Sequence, residues 1–441
     1  MRPKFPYIFF TALILLACIS ILALRSGIFH NRETIKVGIL HSFTGTMAFS
    51  EKPVADAELM AIDEINKSGG LLGMQIVPVI ADGQSDPDIF AAEAERLISK
   101  EKVKAIFGCW TSASRKAVKP VVEAHDSLLF YPVQYEGLEE SPNIIYLGGV
   151  PNQQVIPAVR WAEKNLGKRF FLVGSDSVFS RVTNKIARDV LSLTGGEVAG
   201  EEYAPLGGQD FTGIVKKISA AKPDVIVNVL DGDSNIGFFY ALYMSGYSYP
   251  KTGIMSLRIT ANGIQQIQEY VQSKTSAAEA SRFFNSYLKG SYVCWNYFES
   301  IDTPINEKFT EEFTGKFRKK FGEDYQTTDP MESAYFAVKL WALTVEDTKE
   351  FNRRAIQNHL YNVSIAAPDG VLTISDNNHA EETVRIGKLN DQGFFDVVWA
   401  SDAPVAPEPF PSFRSRSYWK NYLNGLYDGW GGHWAAPGGV K

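Results

Sequence analysis

The feature that most constrains the fold is an alternation of short apolar runs with longer stretches of helical spacing, which begins at Ile35. Short apolar runs predict buried strands, and apolar residues that recur every three or four positions predict helices that pack on one face. Strands that alternate with helices are typical of a parallel sheet built from right-handed strand–helix–strand units. The sequence therefore predicts an α/β protein.

This alternation restarts near the middle of the chain, which indicates two lobes of similar architecture. The first set of predicted strands covers 35–40, 75–81, 103–108, 128–132 and 143–147. The second set covers 169–174, 196–203, 224–230 and 252–257. Two such lobes facing each other leave a cleft at the carboxyl ends of their strands, and such interfaces are preferred sites for small ligands.

One strand-to-helix turn, at 108–116, is rich in groups that can contact a ligand. Ser112 and Ser114 are of the residue types that favour helix N-caps, and the free N–H groups of a helix start can bind a carbonyl or carboxylate oxygen. Trp110 adds a flat apolar wall with one N–H donor. The turn is therefore either a capped helix start or one side of a binding site.

Polar and aromatic side chains also follow other predicted strands of both lobes. They lie at 41–46, at 131–136, at 175–179 and at 231–235. Singly, each stretch is explained by turn and capping chemistry, but their coincidence at the ligand-binding edge of both lobes favours a site. Hydroxyls and rings predominate there, and of the cations only Arg115 and Arg181 are expected close to these turns. Because a buried charged ligand needs a compensating partner, a small neutral polar ligand is expected.

Composition excludes several other classes of protein. The net charge of -6 and the pI near 5.7 argue against nucleic acid as a partner. The three cysteines form neither a disulfide framework nor a zinc pattern, and Cys109 and Cys294 are expected to be small buried residues. The six histidines are scattered, and the sequence lacks the common nucleotide-binding, zinc-protease and serine-hydrolase motifs. We therefore expect no catalytic residues, no metal site, no cofactor and no enzymatic activity.

Residues 1–30 carry a targeting signal. A basic start precedes an apolar run from Phe5 to Leu24, which is the pattern of exported proteins. Three interpretations remain open: an uncleaved membrane anchor, a lipoprotein signal cleaved before Cys18, or an ordinary cleaved signal. All three place the chain from about Asn31 onward outside the cytoplasmic membrane, in the periplasm or at the exterior of the cell envelope.

Several segments together resemble the urea-binding solute receptors of bacterial ABC transporters. The longer ones are FGCWTSASRKAV at 107–118, LFYPVQYEG at 129–137 and WNYFESIDTP at 295–304. The shorter ones are PNQQ at 151–154 and GDSN at 232–235. The region 359–379 also resembles the related amide receptors that regulate amidase expression, and the whole resemblance runs from about Ile35 to Pro404.

The resemblance implies a type I periplasmic-binding-protein fold, with two doubly wound parallel-sheet lobes joined by three crossovers. The first lobe would comprise 35–150 and 292–363, and the second lobe 151–291 and 364–403. The tail at 404–441, which is rich in proline and then in tryptophan and glycine, has no counterpart that the resemblance explains.

The expected ligand site combines residues matched by the resemblance with Gln134, which follows a predicted strand. Its members are Trp110, Ser112, Tyr131, Gln134, Ser177, Phe179 and Asp233. Ser177 departs from the family, whose members tend to carry tyrosine there, and Asp231 stands where asparagine is common. The lost ring leaves volume and adds a hydroxyl, which would admit a larger or more polar ligand than urea or would weaken binding.

The implied function is that of a receptor that binds urea or a short amide in the cleft and delivers it to an ABC transporter permease. Contacts with both lobes would favour the closed state through differential affinity. The alternative is a membrane-tethered receptor for a small amide or amino-acid-like ligand that signals through a partner. The N-terminal segment, the altered position Ser177 and the tail favour this alternative.

Overall fold

The computed structural model describes residues 33–246, 252–318 and 325–436. The predicted anchor or signal segment, 1–30, lies outside these described residues, as do the last residues of the tail, 437–441. Within the described ranges, no helix is both long enough and apolar enough to cross a membrane.

The first lobe is built on a parallel sheet of five strands. They are β1 (Thr34–His41), β2 (Gln75–Asp82), β3 (Ile106–Gly108), β4 (Leu129–Tyr131) and β5 (Ile144–Tyr146). The helices between them are α1 (Ala48–Lys67), α2 (Pro87–Ser99) and α3 (Ser112–Ala124). The sheet order is β2-β1-β3-β4-β5. Because β1 lies inside the sheet and is covered on both faces, its residues Val37, Ile39 and Leu40 are fully buried.

The second lobe starts after a short 3₁₀ turn, Pro151–Gln153. Its first strands are β6 (Arg169–Ser175), β7 (Glu197–Ala204), β8 (Val225–Val229), β9 (Gly253–Ser256) and β10 (Tyr292–Trp295). Its helices are α4 (Val155–Asn165), α5 (Val178–Thr194), α6 (Thr212–Ala221), α7 (Ser234–Met244), α8 (Ala261–Lys274) and α9 (Ala277–Phe283). A single π-turn, Phe284–Leu288, extends the last of these helices.

The chain then returns to the first lobe and crosses once more to the second. The returning helices are α10 (Pro304–Phe313), α11 (Asp329–Thr348) and α12 (Arg353–Leu360). A small hairpin, β11 (Ser364–Ala367) and β12 (Gly370–Thr373), leads to β13 (Arg385–Leu389) and β14 (Phe395–Ala400). The second sheet has the order β14-β13-β10-β9-β8-β6-β7, with β13 antiparallel to both of its neighbours. The predicted fold class, with two lobes and three crossovers, is confirmed.

The structure places two of the predicted lobe boundaries differently. Tyr292 was expected to begin the return to the first lobe, but its strand β10 pairs in parallel with β9 of the second sheet. Ser364 was expected to begin the return to the second lobe, but Leu372 and Ile374 of the following hairpin pack in the core of the first lobe. The crossing comes near Val384, which packs in the second lobe. An apolar run predicts a strand but does not say which sheet edge it joins.

The tail is an integral part of the folded chain over its described residues. It forms helix α13 (Arg416–Gly429), which the sequence did not predict. The side chain of Trp419 is fully buried and packs with Leu423 in a core that also contains residues of α5. An ion pair of 2.8 Å between Arg414 and Asp189 of α5 ties the start of the tail to the second lobe.

Candidate functional site

The turn after β3 brings the first lobe to the cleft. Gly108 has a φ of 141°, and a Cβ atom there would lie 2.0 Å from the carbonyl oxygen of Leu40, so no larger residue fits without rearrangement. The N-cap of α3 is Thr111, whose hydroxyl accepts from the N–H of Ser114 at 3.0 Å, rather than Ser112 or Ser114 as predicted. The hydroxyl of Ser112 therefore does not cap the helix and makes other contacts.

Behind Ser112 lies a buried network of charges. Ser112 donates to the carboxylate of Glu136 and accepts from Arg115 at 3.1 Å. Arg115 also donates to Glu139 at 2.9 Å, and Lys116 donates to the same carboxylate at 2.8 Å. Burial by itself would raise the pKa of Glu139, but Arg115 and Lys116 hold it well below its usual range. These pairs fix the position of the turn.

Tyr131 packs behind this turn and contacts its backbone. Its side chain is fully buried, and its hydroxyl donates to the carbonyl oxygen of Trp110 at 2.7 Å. The guanidinium of Arg115 lies 4.8 Å from the centre of its ring. Burial raises the pKa of Tyr131 to about 12, so the hydroxyl keeps its proton. In this structure Tyr131 therefore positions Trp110.

The second lobe contributes a cation that the sequence interpretation missed. Arg258 follows β9, and its Nε donates to Asp231 at 2.8 Å. Its guanidinium lies 3.8 Å from the ring centre of Phe179 and 5.9 Å from that of Trp110. The sequence did offer a signal for it, because Arg258 is a charged residue directly after the apolar strand predicted at 252–257. The expectation that only Arg115 and Arg181 are close to the cleft is thus corrected.

Arg258 also joins the two lobes. Its Nη1 donates to the backbone carbonyl of Gln134 at 3.2 Å, and the side-chain amide of Gln134 donates to the carbonyl of Leu257 at 2.9 Å. These reciprocal bonds run between a first-lobe loop and the end of a second-lobe strand. They hold the cleft closed in this structure.

A small cavity of about 20 Å³ remains in the closed cleft. Ser112, Ser177, Phe179 and Asp231 contribute to its lining. Among the described side chains, three buried atoms near this point lack a hydrogen-bond partner: Ser177 Oγ, Gln134 Oε1 and Arg258 Nη2. Buried polar groups are normally paired, so these atoms make this part of the cleft a candidate site for a polar ligand.

The predicted site residues thus have different places in the structure. Ser112, Ser177 and Phe179 line the cavity, and Trp110 and Gln134 contact Arg258 beside it. Tyr131 lies behind the turn. Asp233 does not line the cavity, and instead its half-buried carboxylate accepts from Thr46 at the rim between the lobes.

The buried charges around the cleft balance. Three cations, Arg115, Lys116 and Arg258, face three carboxylates, Glu136, Glu139 and Asp231, and all six residues are buried. Burial raises the pKa of Asp231, an effect that Arg258 opposes. No group of three or more His, Cys, Asp or Glu side chains in the described part of the chain is placed to hold a metal ion.

Comparison with known families settles what kind of protein this is. The profile of the periplasmic binding protein domain matches residues 35–416, which is most of the chain. The chain belongs to this family. Membership carries with it an extracytoplasmic location and a solute-binding role, in agreement with the predictions from the N-terminal segment and the cleft.

Relatives that match over most of the chain are solute-binding proteins. A protein named Leu/Ile/Val-binding protein homolog 7, from Brucella melitensis, is 23% identical over 418 residues, which cover 90% of this chain and 99% of that protein. A solute-binding protein of an ABC transporter from R. palustris, solved with 4-hydroxybenzoate, has a TM-score of 0.71 at 20% identity and covers 85% of this chain and 98% of its own. A leucine-binding protein from Thermotoga maritima has a TM-score of 0.68 at 18% identity, with 83% and 98% covered.

Other relatives match over shorter stretches. A protein named limonene hydroxylase, from Geobacillus stearothermophilus, is 33% identical over 125 residues, and this match spans 28% of our chain and 22% of that protein. The chain spans 58% of another relative, Leu/Ile/Val-binding protein BraC3 of Rhizobium johnstonii, at 24% identity and with 51% of our chain matched. These partial matches carry no activity over to this chain.

Proposed function

We propose that this protein binds urea or another short neutral amide in the cleft and delivers it to an ABC transporter permease. The observation that supports this most is a set of unpaired buried atoms where the two lobes meet: Ser177 Oγ belongs to the lining of a very small cavity, and Gln134 Oε1 and Arg258 Nη2 belong to the two residues that join the lobes. Arg258 Nη2 can donate to a carbonyl oxygen, while Gln134 Oε1 and Ser177 Oγ can accept N–H groups. Urea and short amides present these complementary groups on a few atoms.

The charge balance also favours a neutral ligand. Because three buried cations already face three buried carboxylates, a charged solute would bring an uncompensated charge into the closed cleft. The cavity of about 20 Å³ holds about one water in this state. Urea therefore needs a somewhat wider cleft than this one, and a ligand with a long side chain needs a much wider one. A ligand that leaves a buried polar group unpaired loses roughly 1–3 kcal/mol, which would select for amides over apolar solutes.

An amino-acid-like ligand is the second candidate, because a zwitterion is also neutral overall. The observation in its favour is that the relative matched over 90% of this chain has a name that refers to leucine, isoleucine and valine. Delivery to a permease and signalling through a membrane partner both use the same closed state. Permease and ATPase genes beside the gene for this chain would support delivery, and a kinase or regulator gene would support signalling.

Thermal unfolding of the purified protein with urea, formamide, acetamide or leucine tests the ligand. A solute at about 100 times its Kd should add about 2.7 kcal/mol to the free energy of unfolding. Stabilisation by urea or an amide, and not by leucine, is the expected result. Stabilisation by leucine alone would favour the second candidate, and no stabilisation by any amide would overturn the proposal.

A pair of serine variants locates the site. Ser177→Ala removes an unpaired hydroxyl that lines the cavity, and it should remove most of the stabilisation by the solute. Ser234→Ala is the matched control, because Ser234 is a buried serine of the same lobe whose hydroxyl is also unpaired in the described structure but lies outside the cavity lining. Equal losses in both variants would place the ligand elsewhere.

A further inference from the structure

The last described residues of the tail lie across the cleft. We call 431–436 the strap. The N–H of Val178 donates to the carbonyl of Trp434 at 3.0 Å, and the N–H of Ala436 donates to the carbonyl of Asp176 at 2.9 Å. Ser177 and Ala435 therefore face each other as one antiparallel pair. The strap adds a short piece of strand to the same turn of the second lobe that carries Ser177.

The strap is also part of the ligand cavity. Ala435 lines the cavity together with Ser112 of the first lobe and Ser177 of the second. The ammonium group of Lys116, on α3 of the first lobe, lies 4.7 Å from the ring centre of Trp434. The strap thus contacts both sides of the closed cleft, by backbone bonds on one side and by a cation–π contact on the other.

The rest of the tail also reaches both lobes. In the second lobe, Arg414 pairs with Asp189 of α5. In the first lobe, Arg416 pairs with Glu140 at 2.9 Å, and the N–H of Leu138 donates to the carbonyl of Pro409 at 2.7 Å. The chain that precedes the strap is therefore anchored independently of it, and the strap can leave while helix α13 stays in place.

The strap is only loosely seated against the first lobe. A groove of about 1070 Å³ lies where the end of the tail faces helices α2 and α3, and residues of both sides line it: Asp86, Ala117, Pro120, Lys420, Tyr427 and Trp434. Such a volume leaves the strap without the close packing of a core element. Detaching it breaks two backbone hydrogen bonds and one cation–π contact, and it also separates Trp434 from the ring of Tyr427, 4.6 Å away, and from the core of the second lobe.

From these contacts we propose that the strap gates the cleft. When seated, it forms the outer wall of the ligand site and holds the lobes together, and solute enters or leaves only after it detaches. Ala435 then limits the size of the solute that the closed state accepts. This inference rests on the proposed position of the site between the lobes, and it does not depend on which solute binds there.

A disulfide across the strap tests the gate directly. Residues opposite each other in a non-hydrogen-bonded antiparallel pair lie at a distance that suits a disulfide, and Ser177 and Ala435 form such a pair. In full-length protein with Cys18→Ser, the variant with Ser177→Cys and Ala435→Cys is compared before and after reduction without solute, because Ser177 is itself a proposed ligand contact. We expect amide exchange at 131–136 and 255–259 to be at least roughly tenfold slower in the oxidised form, because the two backbone bonds of the strap can no longer open. Equal exchange in both forms would overturn the gate.

Variants that weaken the strap test the same gate from the opposite direction, again by hydrogen exchange of the solute-free protein. Ala436→Pro removes an N–H donor and Trp434→Ala removes the ring that contacts Lys116, while His433→Ala alters an exposed neighbour as the control. The double variant should raise amide exchange roughly tenfold at 131–136 and 255–259, the segments that join the lobes.

These measurements separate the gate from the ligand. Unchanged exchange in the double variant would overturn the gate, whether or not the protein binds urea. Raised exchange in a protein that does not bind urea would support the gate and would overturn only the proposed ligand. Raised exchange at Val178 only, with the segments between the lobes unchanged, would mean that the strap merely covers the second lobe, which also contradicts the gate.

Discussion

Replacing Arg258 by methionine should weaken the closed structure severely. The pair of Arg258 with Asp231 is almost completely buried, with 1% and 2% of the two side chains exposed. Removing one partner of a buried ion pair typically costs about 3–5 kcal/mol, because the other charge stays buried without compensation. Methionine keeps much of the length of the side chain, so most of the loss comes from the charge and from the contact with Phe179.

The loss of stability in Arg258→Met should depend on pH in a defined direction. Burial already raises the pKa of Asp231, and without Arg258 it rises further. The folded variant then binds a proton that the unfolded chain releases near pH 3.9, so its stability falls as the pH rises between those two pKa values. The deficit relative to the parent protein is therefore full at neutral pH and shrinks as the pH falls through the pKa of the folded state.

Unfolding in guanidinium chloride at several pH values measures this, and it avoids urea, the proposed ligand. Adding Asp231→Asn to Arg258→Met should recover part of the stability at pH 7, because the unpaired charge is gone. Lys217→Met is the matched control, since its pair with Glu202 is exposed and should cost at most about 1 kcal/mol. A cost for Arg258→Met as small as that of the control, or one that stays constant with pH, would refute the reasoning.

Three further predictions concern the first lobe, and unfolding in guanidinium chloride checks each of them. Burial lowers the pKa of His41, but two buried glutamates raise it from 6.5 to about 9. The free energy of unfolding should therefore fall by about 3 kcal/mol as the pH rises through this range. His41→Gln should abolish this dependence on pH. Glu139→Gln should cost about 3–5 kcal/mol at pH 7, since it leaves Arg115 and Lys116 underpaired. This cost should shrink as the pH falls below 4.5, where the unfolded carboxyl gains its proton and the stabilising effect of the lowered folded pKa is lost. Trp341→Ala should cost about 3–5 kcal/mol and Trp341→Phe clearly less, because the buried indole N–H has no partner in the described structure; equal costs would contradict this.

Strands, turns and buried cysteines that depend on a few neighbouring residues were predicted well from the sequence. The strand predicted at 169–174 appears as Arg169–Ser175, and the turn at 108–116 does lead from a strand into a helix. Cys109 and Cys294 are buried and free, as expected. Such features follow from apolar runs, glycine conformation and capping, which act over a few residues.

The geometry of the candidate site was predicted only in part, because it depends on partners that are distant in the sequence. The sequence pointed to Ser112, Ser177 and Phe179, which line the cavity. It missed Arg258, whose role depends on a carboxylate that lies 27 positions earlier in the chain. The sequence predicted a small neutral ligand from a scarcity of charge, whereas our proposal of a neutral ligand rests on buried charges that balance.

The structure of the tail also could not be predicted from local sequence patterns. Its aromatic residues gave no helical prediction, yet Arg416–Gly429 is a helix with Trp419 in the core of the second lobe. Tertiary packing supplies most of the stability of a short helix, so a weak local pattern does not exclude one. The pairing of Ala435 with Ser177 joins residues 258 positions apart (435 minus 177), which no local pattern encodes.

The sequence by itself determined the α/β class and the order of strands and helices, and it pointed to the sheet edge where we propose that a ligand binds. Those properties follow from periodicity and turn chemistry, which are local. Only the tertiary structure decided that Arg258 pairs with Asp231, that three buried cations beside the cleft face three buried carboxylates, and that the strap lies across the cleft. The physical reason is that burial and ion pairing depend on which surfaces meet, and the meeting of two lobes and a tail is set by packing across the whole chain.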